Sequence, residues 1–242
     1  MNLFYHFGEY LLLLKKTFTK PEHRKIYIKR IFQEAQAIGV ESLGIIAMED
    51  EIAEMDYPGK LHTFSCDVTD KKQLKKFYEF VNGKMGVIDI LVNNAGIFEP
   101  GAIHNEEEGV FERQMAMNVS SAYHMSRFFL PEMIQKKSGH IFNICSVASI
   151  KPYTNGGSYC ISKYAVYGMT KVLREELKPY KIKVTAVLPG ATLSGSWEGT
   201  TLPESRFMNV NDVADAVFMA SQLSPSAVVE EILIRPMEGD IE

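Results

Sequence analysis

The chain has 242 residues, 46% hydrophobic and 23% charged, enough apolar content for the core of one large α/β domain. Its formal net charge of −4 leaves no basic footprint for nucleic acid, so no nucleic-acid partner is expected. Cys66, Cys145 and Cys160 are scattered with no CxxC pair, which argues against a disulfide framework or metal site and fits a reducing compartment.

The N-terminal stretch Met1–Leu14 is greasy, but His6 and Glu9 interrupt it and its apolar run is four leucines. That is too short to span a bilayer, and it carries no basic leader. The expectation is a cytoplasmic chain without a membrane partner. Pro21–Ile38 then reads as a helix and Leu43–Met48 as a strand. Leu61–Cys66, Val87–Val92, His140–Cys145, Lys183–Leu188 and Glu231–Ile234 read as further strands. Several are continuous apolar runs, as expected of strands buried on both faces. Between them lie helical patterns over Lys71–Val81, Glu107–Lys136, Ser158–Tyr180 and Val210–Leu223, with Pro131 expected to kink or end the second of these. Such alternation predicts a doubly wound parallel sheet in a single Rossmann-type α/β domain over residues 1–242.

In such sheets ligands bind beyond the carboxyl ends of the strands. Those ends carry Asp67-Val68, Asn93-Asn94-Ala95-Gly96, Ser146 and Pro189-Gly190, all small, polar or turn-forming residues. Ser158-Tyr159-Cys160-Ile161-Ser162-Lys163 adds a tyrosine and a lysine one helical turn apart, hence on one helix face. A cation that close is expected to pull the phenol pKa down and make Tyr159 a usable general acid. Taken alone, the pair is equally a chance feature of a surface helix.

The ordered set Asp67-Val68, Asn93-Asn94-Ala95-Gly96, Asn118, Ser146, Tyr159-(x)3-Lys163 and Pro189-Gly190 resembles the short-chain dehydrogenase/reductases, a family of nicotinamide-dependent oxidoreductases. The tail from Val228 to Pro236 and the stretch Gly139-His140-Ile141-Phe142 leading into Ser146 are similar to bacterial sepiapterin-reductase-like members. The resemblance implies that Tyr159 donates a proton to a substrate carbonyl and that Lys163 tunes it while holding the nicotinamide ribose. Ser146 would polarise the carbonyl oxygen, and Asn118 would hold a water linking Lys163 to solvent. It places Asp67 and Val68 at the adenine, Asn93, Ala95 and Gly96 against the cofactor, and Pro189, Gly190 and Thr192 beside the nicotinamide. The implied substrate is a small-molecule carbonyl such as a ketone, an α-dicarbonyl or a pteridine side-chain ketone. Plainer readings stand beside these: Asn118 satisfying a helix irregularity, Ser146 a strand-end hydroxyl, Asp67 a helix cap, Gly96 a turn glycine, and Trp197 core or lid packing.

The family's glycine-rich turn, TGxxxGxG, is missing before residue 60. Phe32–Gly39 is the nearest fit and retains only its last glycine, so residues 1–40 are atypical. Met1–Leu14 would stand in place of the first strand and its loop, with His6–Tyr10 where glycines are expected. Glu49 and Asp50, after Leu43–Met48, favour NAD(H) by repelling a 2′-phosphate; the sepiapterin-type resemblance implies NADP(H). Two functions stand: an NAD(P)-dependent carbonyl reductase, or a catalytically silent Rossmann-like scaffold that has lost its phosphate loop. A homodimer or homotetramer is expected, packed through the two long helices with their small residues Ala116, Ser120, Ser121, Ala122, Ala165 and Gly168.

Overall fold

The computed structural model describes residues 11–13, 62–194, 197 and 199–241. The expected helix Pro21–Ile38, the expected strand Leu43–Met48, Gly39, Glu49 and Asp50 lie outside the described residues. The described elements are β1 (Leu11–Leu13), α1 (Lys71–Met85), β2 (Ile90–Asn93), α2 (Val110–Gln114), a π-helical turn (Met115–Ser120), α3 (Ser121–Lys136), β3 (Gly139–Ile144), α4 (Gly157–Leu177), β4 (Ile182–Pro189), α5 (Val210–Ser221) and β5 (Glu231–Ile234).

The sheet runs in the order β1-β2-β3-β4-β5. β2 to β5 pair in parallel, Ile141 standing between Leu91 and Val184. Alternate residues serve opposite faces. Leu91, Ile141 and Val184 pack with Leu74, Phe129 and Met133 of α1 and α3. Val92, Phe142 and Val187 pack on the other face with Val213 and Val217 of α5. Helices on both faces explain why these strands read as unbroken apolar runs.

Four expectations need correction. β1, Leu11–Leu13, pairs with β2 antiparallel, so these three residues do not extend the parallel sheet; the rest of Met1–Leu14 lies outside the described residues. Residues 62–66 form no strand; they carry Phe64 and Cys66 into the core as irregular chain. β2 begins at Ile90, since Val87 is left exposed. Pro131 does not end its helix, and α3 continues to Lys136. Pro131 sits on the exposed side of α3, where water can serve the carbonyl its missing N–H leaves open. Phe129 and Met133 anchor the other side, both essentially without exposure.

Candidate active site

β2, β3 and β4 end side by side, and their first residues beyond the ladder build one edge. At β3 the chain leaves the sheet through Ser146, which caps the short 3-10 turn Val147–Ser149. The Ser146 hydroxyl accepts from the Ala148 N–H at 3.1 Å, and the Ser149 hydroxyl accepts from the Ser146 N–H at 3.1 Å. Ser149 Oγ then donates to the Lys163 carbonyl at 2.9 Å. This reciprocal cap ties the turn to α4 and fixes Ser146 against Tyr159. The strand-end hydroxyl of Ser146 is thus held by the turn that follows β3.

Tyr159 and Lys163 share one face of α4. The Lys163 ammonium lies 5.7 Å from the Tyr159 ring centroid and donates to the Ile144 carbonyl at 3.0 Å. Phe98 meets the Tyr159 ring edge-on at 4.8 Å between centroids. Contrary to the sequence expectation, the phenol pKa goes up to about 12: burial drives it, while the hydrogen bond with Ser146 opposes it. Burial also holds the Lys163 pKa below its ordinary value. The ammonium is spent on a carbonyl rather than on a phenolate, so desolvation of the tyrosine wins.

Asn118 stands in the π-helical turn. Its Oδ1 accepts from the Ile97 N–H at 2.7 Å, and its Nδ2 donates to the Ile97 carbonyl at 3.0 Å and to Ser162 Oγ at 2.8 Å. The side-chain amide thus stitches the loop after β2 to α4, and its partners lie outside its own helix. Gly96 lies against it: a Cβ there would come 3.2 Å from Asn118 Oδ1 and 3.4 Å from Lys163 Nζ. Any side chain at 96 would crowd both groups.

Asn93 is buried at the end of β2. Its Nδ2 donates to Asn143 Oδ1 at 2.7 Å and to Ser126 Oγ at 3.1 Å. Asn143 Nδ2 donates in turn to Thr170 Oγ1 at 2.9 Å. Asn93 Oδ1 is buried with no hydrogen-bond partner. Ala95 is half-buried beside Gly96.

At β4 the chain turns through Pro189-Gly190. The Gly190 N–H donates to the Ile234 carbonyl at 2.8 Å, and a Cβ at 190 would reach Pro236 Cδ at 3.0 Å. Thr192 is buried and donates to the Gly190 carbonyl at 3.0 Å. Trp197 packs edge-on against Phe207 at 4.9 Å. Asp67 does not cap α1. Asp70 does, accepting from the Lys72 N–H at 2.8 Å. Asp67 Oδ1 instead accepts from the Thr69 N–H and hydroxyl at 2.8 and 2.7 Å, holding a turn with Val68 buried beneath it.

An apolar cavity of about 590 Å³ opens between Ala102, Ile103, Tyr153, Cys160, Ile161 and Tyr164. Of its lining residues, Tyr153 and Cys160 stand within electrostatic reach of Tyr159, so this space opens beside the polar groups of the edge. No group of three or more potential metal ligands occurs among the described residues. None of the described helices is long and apolar enough to cross a membrane.

Comparison with known proteins completes the picture. Residues 35–204 match the family model described as short chain dehydrogenase. The sepiapterin reductase of Chlorobaculum tepidum is 31% identical over 181 residues, 74% of this chain and 74% of the relative. The chain belongs to the short-chain dehydrogenase/reductase family. The 3-oxoacyl-[acyl-carrier-protein] reductase of Thermotoga maritima is 31% identical over 208 residues, covering 81% of this chain and 82% of the relative. Among solved structures, a metagenomic short-chain oxidoreductase in complex with NADP superposes with a TM-score of 0.70 at 27% identity, over 86% of this chain and 91% of that one. Membership makes the chain an NAD(P)(H)-dependent oxidoreductase by class.

Sequence reasoning missed several residues that hold this candidate site together: Phe98, Asn143, Ser149, Ser162 and Glu106, whose carboxylate accepts from the Ser158 N–H at 2.7 Å. Asn143 had a readable signal, an amide at an inward position of an otherwise apolar strand. Phe98, Glu106 and Ser149 had none, because each acts through a partner distant in the chain or hidden in a turn.

Proposed function

We propose that this chain reduces a ketone or α-dicarbonyl to an alcohol, with Tyr159 as the general acid and a nicotinamide cofactor held along the edge formed by β2, β3 and β4. The observation that carries the reading is the set Ser146, Tyr159 and Lys163. Two hydroxyls stand together beside a buried ammonium that has three N–H donors and spends one on Ile144. Two donors remain for ribose hydroxyls. The residues therefore fit the nicotinamide end of the cofactor, and Gly96 leaves the surface above Asn118 and Lys163 free of side chain.

When bound, the reduced nicotinamide supplies hydride to the carbonyl carbon. Ser146 hydrogen-bonds the carbonyl oxygen and fixes its distance from Tyr159. Tyr159 holds its proton at neutral pH, as a phenol pushed up to about 12 must, and gives it to the oxygen as charge builds there. Lys163 holds the ribose and balances the phenolate left behind. Asn118, anchored on Ile97, keeps the π-helical turn open for a water that returns the proton. Asp67 and Val68 line the adenine end, while Pro189, Gly190 and Thr192 flank the nicotinamide. The similarity to two relatives named as reductases, one of a 3-oxoacyl group, supports reduction of a carbonyl substrate.

Fluorescence titration with NADPH and NADH, followed by turnover on a panel of ketones, α-dicarbonyls and pteridines, tests the reading. Binding in the micromolar range with loss of nicotinamide absorbance on substrate addition is the expected result. No binding of either cofactor at millimolar concentration would overturn it in favour of a silent scaffold. The titration also decides cofactor preference: Glu49 and Asp50 favour NADH, while the likeness to the NADP-bound structure favours NADPH.

A further inference from the structure

We infer that Glu106 is a positioning residue for Tyr159: its carboxylate caps the first turn of α4 from across the fold and so sets where the phenol stands against Ser146. The inference rests on the reading of Tyr159 as the acid. α4 begins without a cap of its own, because Gly156 at its N-cap offers no side chain and the first amides of any helix lack intrahelical partners. Glu106, in the loop between β2 and α2, fills that gap. Its Oε1 accepts from the Ser158 N–H at 2.7 Å, and its Oε2 accepts from the Ser158 hydroxyl. A carboxylate here also complements the positive end of the helix dipole. Ser158 immediately precedes Tyr159, so the two-pronged grip acts on the residue next to the phenol.

The surroundings are shaped for this grip. Gly101 donates its N–H to the Asn155 carbonyl at 2.9 Å and bridges Gly156. A Cβ on Gly101 would come 2.6 Å from Glu106 Cγ, and a Cβ on Gly157 would overlap Glu106 Oε1. Both glycines are therefore needed for the carboxylate to reach the helix. The same loop carries Phe98 against the Tyr159 ring, so one segment holds both the backbone and the ring of the tyrosine. The groups that shift the Tyr159 pKa are its burial, Ser146 and the two neighbouring cysteines. Glu106 is not among them and acts through geometry.

The test compares Glu106→Ala and Glu106→Gln with wild type. Glutamine keeps an acceptor for the Ser158 N–H, loses the charge, and turns the second bond round so that its amide nitrogen donates to the Ser158 hydroxyl. The readouts are kcat, KM, cofactor affinity and the Tyr159 signal in protein carrying ¹³C-labelled tyrosine, assigned by its loss in Tyr159→Phe. Alanine is expected to lower kcat about 10- to 100-fold, the scale of a misplacement near 1 Å, with cofactor affinity unchanged and the Tyr159 signal moved. Glutamine is expected to restore both. Wild-type kcat in the alanine variant, an unmoved Tyr159 signal, or a glutamine variant as impaired as alanine would each overturn the inference. If wild type shows no turnover, the proposed activity fails, and the Tyr159 signal alone still decides the positioning role. Should the alanine variant not fold, Ser158→Ala, which removes one prong, must lower kcat and shift the signal; wild-type behaviour would refute the inference.

Discussion

At Tyr159 two forces compete for the phenol proton. Spacing along the helix makes Lys163 a neighbour, and a cation in reach would favour the phenolate. Burial acts on both groups, raising the tyrosine to about 12 and lowering the lysine, and the lysine turns to the Ile144 carbonyl. The residue pair was legible in the sequence because one helical turn separates them; the direction of the shift was not, since spacing carries no information about desolvation. Tyr159→Phe removes only the transferable proton, so carbonyl reduction should fall by roughly 10²–10⁴-fold with cofactor affinity retained. Steady-state kinetics beside a cofactor titration check this, and near-wild-type turnover would remove Tyr159 from the role of acid. His140 gives a residue-scale prediction about stability. Burial, helped by Lys183, pushes its pKa down from the ordinary 6.5 to about 3. The unfolded chain takes up this proton below about pH 6.5 and the folded chain does not, so stability is full above that pH and is lost as pH falls toward 3. Melting temperature measured from pH 7 to pH 4 should therefore drop less steeply in His140→Gln than in wild type.

At the scale of elements, β3, β4, β5 and α5 could be read from their apolar patterns to within two residues, and α4 to within three, its last expected residues Lys178–Tyr180 forming a 3-10 turn. Residues 62–66 could not, because apolar spacing does not reveal whether a ladder partner is present. The π-helical turn was equally hidden, since an extra residue per turn leaves no mark in the periodicity; Asn118 only hinted at it. Removing that side chain tests how the turn is held. Asn118→Ala leaves the Ile97 N–H and carbonyl without their partner, and the loss should cost about 1–3 kcal/mol of stability, measured by chemical denaturation. Unchanged stability with abolished turnover would mean that Asn118 serves proton return alone. For the polar edge as a whole, the order of small and polar residues after each strand was the legible part. The bonds joining Asn93, Asn143 and Thr170 behind it run between distant segments and required the fold.

For the molecule as a whole, the apolar surface left on the long helices bears on assembly. Ser121 and Ala122, expected at a subunit contact, are buried inside their own subunit, because that face of α3 is spent on the sheet. The outward faces of α3 and α4 carry Tyr123, Tyr164 and Val172, 44%, 42% and 56% exposed, and Tyr164 also lines the apolar cavity near Ile161. We expect a homodimer or homotetramer through these faces at micromolar concentration, checked by light scattering. Tyr164→Glu combined with Val172→Glu should shift the population to monomer. A monomeric wild type would assign the exposed aromatics another role.

The grip of Glu106 on Ser158 spans 52 positions, which gives it a consequence in time as well as in space. α4 propagates from local contacts, but its first turn must wait until the loop after β2 has docked against it, and closing so long a segment costs chain entropy. Pairing of β2 with β3 closes a segment of similar length, Ile90 to His140, and brings the two ends of this bond together, so we expect the bond to form after that pairing. Interactions absent from the folding transition state govern unfolding rather than folding rates. Glu106→Ala should accordingly leave refolding nearly unchanged and speed unfolding about five-fold, the kinetic equivalent of about 1 kcal/mol for a lost helix cap. Stopped-flow folding and unfolding limbs measure both; slowed refolding with an unaltered unfolding limb would place this contact early instead, and the start of α4 would then be part of the folding nucleus.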